Sequence, residues 1–299
     1  MVSDRAPELS VVLPAHNEVS LLGSTVTNLI TGLTRRGLSF ELVVVENGST
    51  DGTLRLARLL AAQLPELRVL ALPVANYGAA LRAGFASARG TYVVDFDVDY
   101  YDLAFLDRAL DSLRSGGAAL VVASKRAPGS RDRRPLRRRL LTLAFTSASR
   151  RILGMEVSDA HGMKALSKEQ LATLAESCVT RGSLYDVELV VRAERARLGV
   201  EEVPAVVAER RPPRSPLWRR SLESLAGLVR LRLVLGPAAT DQDRGAADRS
   251  GPGRAGGRGA RSPLSRRPAT AAGRLLDVLR RAAARSRGGG SAAGCSGRG

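Results

Sequence analysis

The sequence predicts an α/β fold, a mainly parallel sheet with helices on both faces. Two observations carry that expectation. Short runs dense in Val and Leu, without polar alternation, read as strands buried on both sides. They alternate with longer stretches of helical spacing, and strand and helix in turn imply parallel pairing through crossovers. With 299 residues and 44% apolar content the chain can bury a normal core without staples.

Taken in order, Leu9–Leu13, Phe40–Val45, Val69–Leu72, Tyr92–Val94 and Ala118–Ala123 are the predicted strands. Ser20–Leu33, Thr53–Leu64, Gly78–Ala88 and Asp102–Ser115 are the helices between them. Arg126 to Arg139 is strongly basic and holds Pro128 and Pro135, which predicts a mobile loop. Leu140–Leu153 and Leu184–Leu198 follow as helices and Val203–Ala208 as a further strand. Pro212, Pro213 and Pro216 interrupt the pattern before an amphipathic stretch, Leu217–Leu235. The expected organisation is an α/β domain over 1–210, an amphipathic helix within 211–236, and a disordered tail over 237–299. That tail is rich in Gly, Ala, Ser and Arg and has no aromatic residue, too little to offset its ordering entropy.

Charge is uneven. Residues 1–100 carry 8 basic and 10 acidic side chains, 101–210 carry 19 and 14, and 211–299 carry 19 and 5, within a net +17. The basic tail lacks interleaved aromatics, so specific nucleic-acid binding is not expected. Cys178 and Cys295 suggest neither a disulfide framework nor a zinc site. No signal peptide and no spanning helix are read, which predicts a cytoplasmic protein.

The polar segments fall after the predicted strands, where ligands collect in a parallel sheet. Pro14-Ala15-His16-Asn17-Glu18 follows the first; a helix-capping turn explains it equally well. Glu46-Asn47-Gly48-Ser49-Thr50-Asp51 follows the second and suits a ribose or base edge, or a tight turn with a helix cap. Neither GxxxxGK[ST] nor a GxGxxG after the first strand occurs, against a P-loop or dinucleotide fold. Asn76-Tyr77-Gly78 opens a helix whose small residues permit close packing.

Tyr92-Val93-Val94-Asp95-Phe96-Asp97-Val98-Asp99 is the most informative. Two carboxylates about 5 Å apart repel by roughly 3 kcal/mol at an effective dielectric near 20. A hard divalent cation, Mg2+ or Mn2+, compensates that repulsion and takes its other ligands from a bound phosphate. Asp99 is a candidate further ligand, whereas Asp102 suits a helix cap. Downstream, Asp159-Ala160-His161-Gly162-Met163-Lys164 and Tyr185-Asp186-Val187-Glu188 supply acceptor-side polar groups. Asp186 and Glu188 lie two apart in a predicted helix, so only one is expected to enter a site.

In this order the first four segments resemble the family 2 glycosyltransferases, whose pattern runs P-x-x-N-E, D-D-G-S-x-D-x-T, N-x-G-x-x-x-A/G-x-x-x-G, then D-x-D. Within that family the chain is most similar to the dolichyl- and polyprenyl-phosphate sugar synthases. The resemblance covers about residues 8–210 and implies a GT-A, Rossmann-like fold and inverting transfer from a nucleotide-diphospho-sugar to a lipid-phosphate or glycan acceptor. Pro14, Ala15, Asn17, Glu18, Glu46, Asn47, Gly48, Asn76 and Gly78 would then surround the nucleotide, and Lys125 would neutralise phosphate. Asp95 and Asp97 would hold the metal, while Asp159, Asp186 and Glu188 are the candidate acids and bases. The chain departs from the pattern at Glu46-Asn47, in place of Asp-Asp, and at Asp159-Ala160-His161-Gly162, one residue short of D-x-x-x-G. The membrane-spanning tail of some members is not read here, so membrane contact is expected to be peripheral, on the inner face. Two alternatives stand beside this reading. A sugar-nucleotide pyrophosphorylase would carry a Gly-rich element with a lysine where Pro14–Glu18 stands; a non-catalytic nucleotide-sugar binding protein would have lost an acid of the D-x-D.

Overall fold

The computed structural model describes residues 6–180, 182, 184–207 and 217–236. The chain lays down β1 (Leu9–Ala15), α1 (Val19–Arg35), β2 (Phe40–Asn47), α2 (Thr53–Ala61), β3 (Leu67–Leu72), α3 (Tyr77–Ser87), β4 (Tyr92–Asp95), α4 (Leu103–Arg114) and β5 (Leu120–Ser124). Next come β6 (Arg131–Asp132), α5 (Leu136–Leu153), β7 (Lys164–Ser167), α6 (Lys168–Ser177), α7 (Tyr185–Arg195), β8 (Val200–Pro204), β9 (Val206–Val207) and α8 (Leu217–Leu235).

Seven strands form one sheet in the order β3-β2-β1-β4-β7-β5-β8. All neighbours are parallel except β7, which runs antiparallel to both β4 and β5. The period of two along a strand explains why both faces are apolar. Leu9, Val11 and Leu13 pack with α1, α2 and α4, while Val12, Val43 and Val45 pack with α3, α6 and α7. The expected mainly parallel sheet, covered on both sides, is what forms.

Three local expectations need correction. Residues 126–139 are not simply a loop: β6 pairs with β9, and α5 begins at Leu136. The proline that suggested a break, Pro135, is the residue before α5, a position that needs no intrahelical N–H donor. The strand expected over Val203–Ala208 is two strands, β8 and β9, separated at Ala205; Ala208 lies outside the described residues. Both β7 and α6 are additions, since Lys-Ala-Leu-Ser is too short and mixed to stand out.

Helix α8 buries Leu228 and Leu231 in the second core and exposes Leu225, Val229 and Leu233 on another stripe. Arg195 donates to carbonyls at the ends of α5 and α8, Leu153 and Leu235. One face of α8 is thus packed on the domain. The side chains of Trp218, Arg219, Arg220 and Leu222, the three prolines and the 237–299 tail lie outside the described residues. No described helix is long and apolar enough to cross a membrane.

Candidate active site

The loops after β1 and β2, and the chain entering α3, meet at the carboxyl edge of the sheet. Asn17 sits at φ 55, a left-handed conformation that Asn tolerates. Its Oδ1 accepts the Thr50 N–H at 2.9 Å, and its own N–H donates to Ser49 Oγ. The Glu18 N–H donates to Thr53 Oγ1, and that of Val19 to Asp51 Oδ2. Asp51 also accepts from the N–H and the hydroxyl of Thr53, the first residue of α2, while Gly52 and not one of the expected polar residues stands at the cap position. His16 Nδ1 donates to the Asn47 carbonyl at 2.7 Å, which fixes its tautomer.

These bonds assign work to several predicted nucleotide contacts. Glu46, buried, accepts the Ser49 N–H at 2.5 Å and shapes its own turn. Asn47 Oδ1 accepts the Asn76 N–H at 2.7 Å. Asn76 Oδ1 accepts from Ala79, capping α3, and from Gly182, which ties α3 to the chain entering α7. Gly48 has φ 65, and a Cβ there would lie 2.8 Å from the Ala75 nitrogen. At Gly78 a Cβ would lie 2.7 Å from the Gly182 backbone. Pro14 and Ala15 are buried in the end of β1. The structure thus brings these residues together, several of them as the loops' own framework.

Across the edge from these loops lies a cluster of charge. Asp95 ends β4, and Lys164, the first residue of β7, stands opposite it in the antiparallel register. Lys164 is fully buried, with Nζ 3.2 Å from Asp95 Oδ2 and 3.1 Å from Asp186 Oδ1. Burial alone would lower its proton affinity. The charges of Asp186 and Asp95 outweigh that and hold the ammonium well above its ordinary value. Sequence reasoning gave Lys164 no role of its own, although a lysine inside Met163-Lys164-Ala165-Leu166 was a signal. Asp97 is half-buried, with Tyr77 Oη 3.5 Å from its Oδ1. Burial, and then the charges of Asp99, Asp95 and Asp186, push the Asp97 carboxyl up to about 7. Asp102 caps α4 through the N–H groups of Ala104 and Phe105.

Such crowded acids suit a divalent cation by charge and by their hard oxygen donors. Among the described residues no three His, Cys, Asp or Glu side chains alone could hold a metal ion. Asp95 and Asp97 offer oxygen donors of the kind that Mg2+ or Mn2+ takes together with the oxygens of a bound phosphate.

On the acceptor side, Asp159 has 1% side-chain exposure and pairs with Lys125 Nζ at 3.0 Å. Burial opposes its ionisation, but Lys125 and the His161 N–H outweigh it and hold the carboxyl below its ordinary value. His161 stacks on Phe145, with Nδ1 3.8 Å from Asp186. Glu188 points elsewhere, as the two-residue offset from Asp186 predicts. It accepts the N–H groups of Val179 and Thr180 and the Thr180 hydroxyl, and pairs with Arg192 at 2.8 Å. Burial raises the Glu188 carboxyl, but these donors outweigh it and keep it below its ordinary value. Its carboxylate therefore stabilises the fold above a pH of about 4.5, and that contribution is lost as pH falls through the lowered folded value. A Glu188→Gln variant is expected to melt several degrees below wild type at pH 7. The gap should narrow from about pH 5 toward pH 3, and a constant gap in thermal scans would contradict this.

Lys125, Arg126, Asp132, Leu136, Arg139, Leu140, Thr142 and Leu143 line a cleft of about 260 Å³ beside the Lys125–Asp159 pair; Asp132 is itself paired with Arg134. A larger cleft of about 500 Å³ includes Val200, at the amino end of β8, and so opens away from the edge that holds Asp97.

Residues 10–173 match the family described as Glycosyl transferase family 2. Glycosyltransferase AglD of Haloferax volcanii is 32% identical over 202 residues, 66% of this chain, which spans only about a third of AglD (32%). Polyprenol monophosphomannose synthase of Mycolicibacterium smegmatis is 33% identical over 211 residues, 67% of this chain and 77% of that protein. Glucosyl-3-phosphoglycerate synthase from Mycobacterium tuberculosis, in a crystal structure with Mn2+, UDP-glucose and phosphoglyceric acid, aligns with a TM-score of 0.57 and 28% identity. That match covers 76% of this chain and 80% of the other.

Proposed function

This chain belongs to glycosyl transferase family 2 and has a GT-A fold, and on that premise we propose that it moves a sugar from a nucleotide-diphospho-sugar to a polyprenyl phosphate, with inversion at the anomeric carbon. The observation that carries the acceptor class is the state of the three acceptor-side acids. Asp159 is paired with Lys125, Asp186 with Lys164, and Glu188 with Arg192 and the Thr180 segment. A hydroxyl acceptor needs a general base to take its proton, and these acids are engaged in ion pairs, whereas an ionised phosphate oxygen needs none.

The cleft beside Lys125 supports the same reading. Lys125, Arg126 and Arg139 suit a phosphate, and Leu136, Leu140 and Leu143 suit an apolar chain. In the reaction Lys125, held in place by Asp159, and Arg126 orient the acceptor oxygen toward the sugar. The loops at Pro14–Glu18 and Glu46–Asp51 hold the base and ribose. Asp97, with Asp95 beside it, would hold Mg2+ or Mn2+, and that charge would stabilise the negative charge developing on the leaving diphosphate.

A lipid acceptor places the protein at a membrane surface, on the inner face where a soluble donor is at hand. Leu136 is 70% exposed and Leu140 64%, with Arg137 and Arg139 beside them, and α8 exposes Leu225, Val229 and Leu233. Apolar side chains flanked by arginines suit an anionic leaflet, at about 1 kcal/mol per basic residue near the surface.

The test is a screen of UDP- and GDP-sugars against polyprenyl phosphate in anionic vesicles, against phosphoglyceric acid, and without acceptor. Nucleoside diphosphate release is scored with Mn2+, with Mg2+ and with EDTA. Release is expected to require both the lipid phosphate and a divalent cation. Preference for phosphoglyceric acid would overturn the lipid acceptor, and no release from any donor would favour a binding protein.

A further inference from the structure

Asp95 is the first acid of the D-x-D, and a single residue occupies both of its carboxylate oxygens. The Lys164 N–H donates to Oδ1 at 2.9 Å, and the Lys164 ammonium lies 3.2 Å from Oδ2. The same ammonium donates to the Gly162 carbonyl at 2.8 Å and pairs with Asp186 at 3.1 Å, without solvent exposure. The cause is topological. β7 is antiparallel within a parallel sheet, so its first residue, and not its last, reaches the edge where Asp95 ends β4. An ammonium in that position competes with any divalent cation for Asp95. Asp97, two residues on and half-buried, is not in that pair.

We propose that Lys164 is a positioning residue that withholds Asp95 from the divalent cation. The nucleotide-free protein then offers the cation mainly Asp97, and the cation enters together with a nucleoside diphosphate. The proposal rests on the reading of Asp95 and Asp97 as a cation site. A hard cation held by one carboxylate exchanges readily with water, and diphosphate oxygens complete its shell and add charge. The parallel strands alone would leave Asp95 open. It is the reversed strand that makes occupancy conditional on the substrate.

Mn2+ binding by the full chain, read from the electron paramagnetic resonance signal of free Mn2+, tests this with and without UDP. Wild type is expected to bind Mn2+ at least tenfold more tightly with UDP than without. Lys164→Met removes the competitor but leaves two buried acids unpaired, which can prevent folding. Lys164→Met/Asp186→Asn keeps the net charge of the cluster while freeing Asp95 Oδ2; the backbone N–H of residue 164 still holds Oδ1. In the double variant Mn2+ affinity without UDP should rise about tenfold or more, and the UDP effect should shrink. A bridge that is only structural predicts the opposite, an unchanged or weaker affinity, and that result would overturn the proposal. So would equal wild-type affinity with and without UDP. If wild type binds no Mn2+ even with UDP, the cation-site reading itself fails, a result distinct from the other two.

Discussion

Asp97→Asn is expected to lower sugar transfer by about 10²- to 10³-fold or more, while the protein melts at or slightly above the wild-type temperature. The rate loss follows from removing the carboxylate that positions positive charge at the leaving diphosphate, an electrostatic contribution of that order in enzymes. The stability follows from the surroundings. Asp97 lies among Asp95, Asp99 and Asp186, and a neutral amide of the same shape relieves their repulsion. Nucleoside diphosphate release and a thermal melt on the same preparation check both halves. Full activity in the variant would refute the cation role.

Gly162→Ala is expected to do the reverse and damage the fold first. A Cβ on residue 162 would meet the carbonyl oxygen of Ala123 and lie 2.7 Å from its carbonyl carbon, in the backbone of β5. Backbone cannot yield as a flexible side chain does. The expected cost is at the upper end for overpacking, about 3 kcal/mol, or roughly 6–12 °C for a domain of this size. Activity should fall with it, because the Gly162 carbonyl accepts from Lys164 and Lys164 holds Asp95. A wild-type melting temperature would show that the loop has room to move. The shortened Asp159–Gly162 element is held at both ends, since its Asp pairs with Lys125 and its Gly lies against β5.

Asp97 and Gly162 also mark the border between what could be seen in the chain and what could not. Asp97 was visible because an apolar run ends in acids, and a buried parallel strand delivers its last residues to the ligand edge. Strands β1 to β5 were visible for the same reason, each being a dense Val/Leu run. The contact of Gly162 with β5 joins residues 39 positions apart and left no local sign. β6 and β9 are two residues each, and β6 lies among arginines that resemble a loop. β7 begins with a charged residue and ends with serine, and nothing in four residues announces a reversed strand. Glu46, Asn47 and Asn76 were rightly placed at the carboxyl edge as a group. Their bonds to Ser49, Asn76 and Gly182 were out of reach, because side-chain partners in a folded loop depend on its three-dimensional path.

By itself the sequence determined the layered α/β plan, the order of its polar loops and the presence of paired acids at a strand end. Hydrophobic periodicity and turn chemistry act over a few residues, so they can be read locally. Only the tertiary structure decided which charges answer which. Lys164 meets Asp95 across 69 residues of sequence, and Lys125 meets Asp159 across 34. Coulomb energy depends on distance and on exclusion of water, and neither is a function of separation along the chain.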